Sequence, residues 1–108
     1  IVADKSLVEQ AIINLMLNAI DAVDNVSKPK IIINVILSEE NRTIVTIEDN
    51  GKGIPAEDLE NIFVPFYTTK RSGSGIGLSM TRQIMFLHKG NISVKSESGF
   101  GTKFILSF

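Results

Sequence analysis

From residue 6 to about residue 23 the apolar positions recur with helical spacing, and Asp4 or Ser6 stands where a helix cap belongs. Ser6 with Glu9 also has the capping-box spacing. Asn25, Ser27 and Pro29 break the pattern. Residues 30–37 are rich in β-branched side chains, Asn41 and Arg42 suit a turn, and 43–48 repeat the β pattern, so a hairpin is predicted. Asp49-Asn50-Gly51-Lys52-Gly53 reads as a loop, and Pro55 suits the first turn of a short helix running through Phe63. Residues 64–77 are irregular and glycine-rich. Helical spacing returns over 78–87, Gly90 stands just past its end, and strands follow at 91–96 and 102–107 around a Gly99/Gly101 turn. This order predicts an α+β fold, an antiparallel-rich sheet covered by helices on one face.

Length and charge narrow the class. With 108 residues the chain is expected to be one domain, residues 1–108, large enough to fold without a disulfide or zinc staple; it has no Cys. That agrees with a reducing, cytoplasmic setting. Eleven Lys and Arg against 12 Asp and Glu give a net charge of −1, which supplies no broad positive field for nucleic acid. No apolar run reaches ~18 residues and residues 1–5 lack a basic leader, so no direct membrane contact is expected. The pattern stops in mid-strand at Phe108, as in a soluble domain cut from something longer.

The first helix carries an unusual polar stripe. At about 100° per residue, Gln10, Asn14, Asn18 and Asp21 fall close to one line, while nearly all other positions are apolar. Two carboxamides one turn apart suit a hydrated Mg²⁺ beside phosphates, without the cost of burying further carboxylates. The other reading is a hydrogen-bond ladder, or a pairing with a neighbouring helix.

Two glycine segments bear on the choice. Asp49-x-Gly51-x-Gly53 follows a strand and lets a flat ligand approach the backbone; a carboxylate there accepts from an exocyclic amine, which adenine has and guanine lacks at position 6. Alone, it also reads as an ordinary Asp-Asn-Gly turn. Gly73-Ser74-Gly75-Ile76-Gly77 opens a helix at Leu78, where backbone N–H groups and the helix dipole favour an anion. It is neither a P-loop nor a dinucleotide fingerprint, and a flexible linker is the alternative. Thr68, Thr69, Lys70 and Arg71 just upstream add hydroxyls and positive charge, giving the segment the character of a lid. Phe63, Phe66 and Tyr67, with Phe86 as their expected neighbour, read as its anchor. His88, the only histidine, reads as structural, at a helix C-terminus where a donor satisfies free carbonyls.

Taken in order, these segments resemble the catalytic ATP-binding domain of sensor histidine kinases, in the superfamily that also holds gyrase, the heat-shock chaperone ATPases and MutL. Residues 14–22 (Asn-Leu-Met-Leu-Asn-Ala-Ile-Asp-Ala) look like the N box and residues 49–53 like the first glycine box. Residues 62–70 are similar to the F box, 73–78 to the second glycine box, and Gly99-Phe100-Gly101-Thr102 to the third. The short connection from the F box to the glycines is similar to the compact lids of nitrogen-regulation sensor kinases.

The resemblance implies a two-layer α/β sandwich of the Bergerat type, with a mixed, mostly antiparallel sheet under three helices and ATP between helices and lid. It implies that Asn18 ligates Mg²⁺, that Asp49 binds the adenine amine, and that Asn14 and Lys70 lie by the phosphates as catalytic groups. Around them it implies a nucleotide site drawn from Asp21, Gly51, Gly53, Ile54, Phe66, Thr68, Thr69, Gly73, Ser74, Gly75, Ile76, Gly77, Leu78 and Thr102. Where hydrolysing relatives place a water-activating Glu, this chain has Asn14, a poor base, so the γ-phosphoryl group is expected to be kept for a protein acceptor. Ile76 stands where Leu is commoner. The acceptor histidine and dimerisation helices are expected in a parent protein, membrane-anchored or not, that passes phosphate to a response regulator; the strand usual before the first helix is expected to be missing or clipped. The alternatives are a serine kinase of the anti-sigma type, or a degenerate ATP sensor without phosphotransfer.

Overall fold

The computed structural model describes residues 4–65 and 77–108. Helix α1 spans Lys5–Ala22. Asp4 is its cap, its carboxylate accepting from the Leu7 N–H at 3.1 Å, so the cap falls on Asp4 rather than Ser6. Strands β1 (Ile31–Leu37) and β2 (Thr43–Asp49) form the expected hairpin, with Asn41 at φ 60° in its turn. Helix α3 (Gly77–Leu87) leads to β3 (Asn91–Glu97) and β4 (Gly101–Ser107).

Between the hairpins, α2 is shorter than the sequence predicts, covering only Ala56–Leu59 after its cap Pro55. The chain continues to Val64 in tight turns, with Asp58 N–H bonded to Pro55 O, Asn61 to Asp58 O and Val64 to Asn61 O. Each of these closes over three residues rather than four, which brings Leu59, Ile62 and Phe63 inward without a full helix.

The four strands lie in the order β1-β2-β4-β3, and every pairing among the described residues is antiparallel, where a mixed sheet was expected. Alternation along β2 and β4 turns Val45, Ile47 and Asp49, and Thr102, Phe104 and Leu106, toward the helices. Leu15 and Ala19 of α1, Met85 of α3 and Ile62 close the core over them, giving the two-layer α/β sandwich. Each fully buried side chain such as Leu15, Ile47 or Leu106 contributes about 1.5–3 kcal/mol of transfer free energy.

Helix α3 ends in a tight turn in which Lys89 takes the left-handed position, at φ 56°. Lys89 N–H bonds Phe86 O at 3.0 Å and Gly90 N–H bonds Met85 O at 2.9 Å. Gly90 is needed for a different reason, since a Cβ there would collide with the Ser107 carbonyl.

Candidate functional site

Asn14 and Asn18 sit half-buried on one side of α1, while Gln10 and Asp21 at the ends of the stripe are exposed. Asn14 Nδ2 donates to Gly77 O at 3.2 Å and to Thr81 Oγ1 at 3.3 Å, and Thr81 donates to the same carbonyl at 2.8 Å. Gln10 Nε2 in turn donates to Asn14 Oδ1 at 2.9 Å. The Asn14 amide thus fixes the first turn of α3 against α1.

The other end of α1 meets the first glycine loop. Lys52 N–H donates to Ala22 O at 3.2 Å, and Gly51 approaches Ala22 so closely that a Cβ would strike that carbonyl. On the opposite side Gly99 N–H donates to Lys52 O at 2.7 Å, and Gly101, at φ 125°, leaves no space for a Cβ beside the Asp49 carbonyl. The loop is thus clamped between α1 and the β3–β4 turn. From Asn14 to Ala22 the helix axis advances about 12 Å, so one edge of α1 links the glycine loop to the start of α3, with Asn18 midway.

Asp49 ends β2 beneath this edge with only 7% of its surface exposed. Its Oδ1 accepts from the Gly51 N–H at 2.9 Å, closing a local turn. Burial pushes the carboxyl above its ordinary value of 3.8, and the Glu48 charge adds to the rise; the N–H groups of Gly51 and Thr102 hold it down in part. The buried polar side chains among the described residues are Asp49 and Thr102, beside these loops, and Thr81, which joins α3 to Asn14. Thr102 is the cross-strand partner of Asp49, and its hydroxyl lies 2.8 Å from Ser96 Oγ.

Of the other expected site residues, Ile54 and Leu78 pack their side chains partly against the core, so their backbones are what face the loops. The Ile54 N–H donates to Ser96 Oγ at 2.8 Å, and Ser96 donates to Gly101 O at 2.9 Å. Gly77 is the first residue of α3, and Gly53 takes φ 74° against the Glu97 carbonyl. Phe66, Thr68, Thr69, Lys70, Gly73, Ser74, Gly75 and Ile76 lie outside the described residues. Phe86 does not join Phe63: it is 79% exposed, and the Arg82 guanidinium lies over the Phe63 ring at 5.8 Å instead. His88 is structural as expected, with Nδ1 2.7 Å from Ile84 O.

Three contributors escaped the sequence reading: Ser96, Thr81 and Asn50. Ser96 had a signal, since it interrupts the Ile92, Val94 apolar alternation on the helix side of β3. Thr81 had none beyond being polar on an apolar face of α3. Asn50 sat inside the glycine box without an assigned task.

Among the described residues no helix is long and apolar enough to cross a membrane, and no group of three or more His, Cys, Asp or Glu is placed to hold a metal. A magnesium site here would rest on a carboxamide and phosphates rather than on a carboxylate cluster.

Residues 3–108 match the family described as histidine kinase-, DNA gyrase B- and HSP90-like ATPase. The chain is 39% identical over 104 residues to the signal transduction histidine-protein kinase AtoS of Escherichia coli (strain K12), covering 96% of this chain and 17% of that protein. It is 39% identical over 106 residues to sporulation kinase A of Bacillus subtilis (strain 168), covering 97% and 17%. The chain thus spans under a fifth of the length of these two relatives. Among solved structures, a nucleotide-free catalytic domain of histidine kinase ThkA superposes with a TM-score of 0.82 at 36% identity, over 98% of this chain and 68% of that one. The mycobacterial sensor histidine kinase MprB shares the fold, with a TM-score of 0.88 at 22% identity over 100% of this chain and 75% of that one. With the buried aspartate, the clamped glycine loop and the paired helices accounted for, the chain belongs to the histidine kinase-, DNA gyrase B- and HSP90-like ATPase family.

Proposed function

We propose that this domain binds ATP with Mg²⁺ and donates the γ-phosphoryl group to a histidine on the dimerisation domain of the same parent protein, which serves a response regulator. One observation carries the reading: a buried carboxylate, Asp49, ends a central strand beside a loop whose glycines leave the backbone bare. A carboxylate offers about four lone-pair positions, so beyond the Gly51 and Thr102 N–H groups it retains capacity for the adenine amine.

The remaining residues fit the nucleotide by the chemistry of their donors. The start of the 11-residue helix α3, at Gly77 and Leu78, presents N–H groups suited to phosphate. Asn18 would hold Mg²⁺ through its side-chain oxygen, and the ion would supply charge neutralisation at the phosphates. Asn14 holds α3 in place and, as a carboxamide, has no basicity to activate water, so phosphate is kept for the protein acceptor. Lys70 is assigned to the phosphates by resemblance. This chemistry belongs in the cytoplasm, whether or not the parent is membrane-anchored.

The test is transfer of labelled γ-phosphate from ATP to a supplied histidine-bearing dimerisation domain. Asn18→Ala and Asp49→Ala each abolish transfer if the roles are right. Near-normal transfer by either variant contradicts them.

A further inference from the structure

We propose that Asn50 is a positioning residue for adenine recognition: it fastens the Asp49 turn to residues 28–30 and so aims the Asp49 carboxylate. The inference rests on the nucleotide reading above and goes beyond it by naming what sets the selectivity of the site.

Asn50 is exposed, yet both ends of its side chain are spent on one neighbouring segment. Nδ2 donates to Lys28 O at 2.9 Å and Oδ1 accepts from Lys30 N–H at 2.8 Å. Its own backbone N–H donates to Lys30 O at 3.2 Å. Pro29, between the two, has no N–H to offer. The three bonds tie Asn50 to the segment that enters β1, whose first residue, Ile31, pairs with Asp49.

Asn50 is also the middle residue of the turn that Asp49 Oδ1 closes onto Gly51 N–H. The turn is therefore anchored on three sides, by Asn50 on residues 28–30, by the Lys52 N–H on Ala22 and by the Lys52 carbonyl on Gly99. The carboxylate itself is held by the Gly51 and Thr102 N–H groups, and Asn50 is a side-chain tie between its turn and the segment that enters β1. Removing the Asn50 side chain leaves the fold's core untouched, since neither Asn50 nor Lys28 belongs to it, and loosens the turn that orients the carboxylate by taking away two of its three bonds to residues 28–30.

The test compares ATP with purine riboside triphosphate, which carries hydrogen where adenine carries the 6-amine, by calorimetric titration of the wild-type domain and of Asn50→Ala. If Asn50 aims Asp49, ATP affinity falls about tenfold in the variant, the order of one to two lost hydrogen bonds, and the affinity for the analogue stays within about twofold. Equal losses for both nucleotides, or no change for either, overturn the inference. Asn50→Asp, which keeps the acceptor for Lys30 and loses the donor to Lys28, gives an intermediate ATP preference and serves if Asn50→Ala does not fold. Wild-type preference in Asn50→Asp then overturns the inference. A wild-type domain that does not favour ATP over the analogue overturns the Asp49 reading itself, and is told apart because it needs no variant.

Discussion

The backbone N–H of Asp4 donates to His88 Nε2 at 2.9 Å, joining the cap of α1 to the residue just past α3 across 84 positions of sequence. The second ring nitrogen faces Ile84 O at 2.7 Å, and the ring meets Phe108 edge-on at 6.4 Å. Nδ1 is therefore the protonated nitrogen and Nε2 the acceptor, an assignment made from these partners. His88→Ala removes both bonds in a partly exposed place, where water replaces much of the loss. The expected cost is about 1 kcal/mol, read as a fall of about 4–8 °C in melting temperature. A variant melting with the wild type would show that the two helix ends are held by packing alone.

Asp49 gives the site a pH signature. Burial raises its carboxyl above 3.8, so the folded chain holds this proton more tightly than the unfolded chain does. The group's contribution to stability is full below the unfolded value and is lost as pH rises through the raised folded value. Asp49→Asn abolishes this titration. The melting temperature of the variant relative to wild type should accordingly be higher at about pH 7 than at about pH 3, while ATP affinity at pH 7 falls by about ten- to a hundredfold. A relative melting temperature that is flat or falls with pH contradicts the burial argument.

The glycines divide into two kinds. A Cβ on Gly51 strikes the Ala22 backbone carbonyl, and neither partner is a flexible side chain, so Gly51→Ala is expected to cost about 1–3 kcal/mol even without nucleotide. Among the described residues a Cβ on Gly77 meets only Asn14, at 3.9 Å, an ordinary contact, and alanine is the better helix former by up to about 1 kcal/mol. Denaturant unfolding should find Gly51→Ala weakened and Gly77→Ala unchanged or strengthened. The reverse order would show that α1 and the glycine loop are not in the contact described.

Much of this was legible in the sequence because the signals were local. The stripe through Asn14 and Asn18 marked the helix edge that links the loops, and β-branched runs marked the first hairpin and the Gly99/Gly101 turn the second, each strand within a residue at each end. Short-range ambiguity explains the failures. Leu59, Ile62 and Phe63 have helical spacing, but successive three-residue turns give the same inward pattern, so α2 was overextended. Gly90 reads from the sequence only as a residue just past the helix end, because its constraint, the Ser107 carbonyl, comes from a strand 17 residues away. Asn14 reads equally as a ligand or as a helix clasp until the position of Gly77 is known. Packing of Arg82 on Phe63 in place of Phe86 depends on which way α3 is rotated, and a helix with apolar residues on several sides leaves that open.

Asp49, the glycine loop and Asn18 are proposed to form an adenine-selective, magnesium-assisted nucleotide site. Calorimetric titration of the domain with non-hydrolysable ATP and GTP analogues, each with and without Mg²⁺, tests it most directly. Binding of the ATP analogue that strengthens with Mg²⁺ and exceeds that of the GTP analogue by at least about tenfold is the predicted result. Equal affinity for the two purines, or ATP affinity indifferent to Mg²⁺, would contradict it.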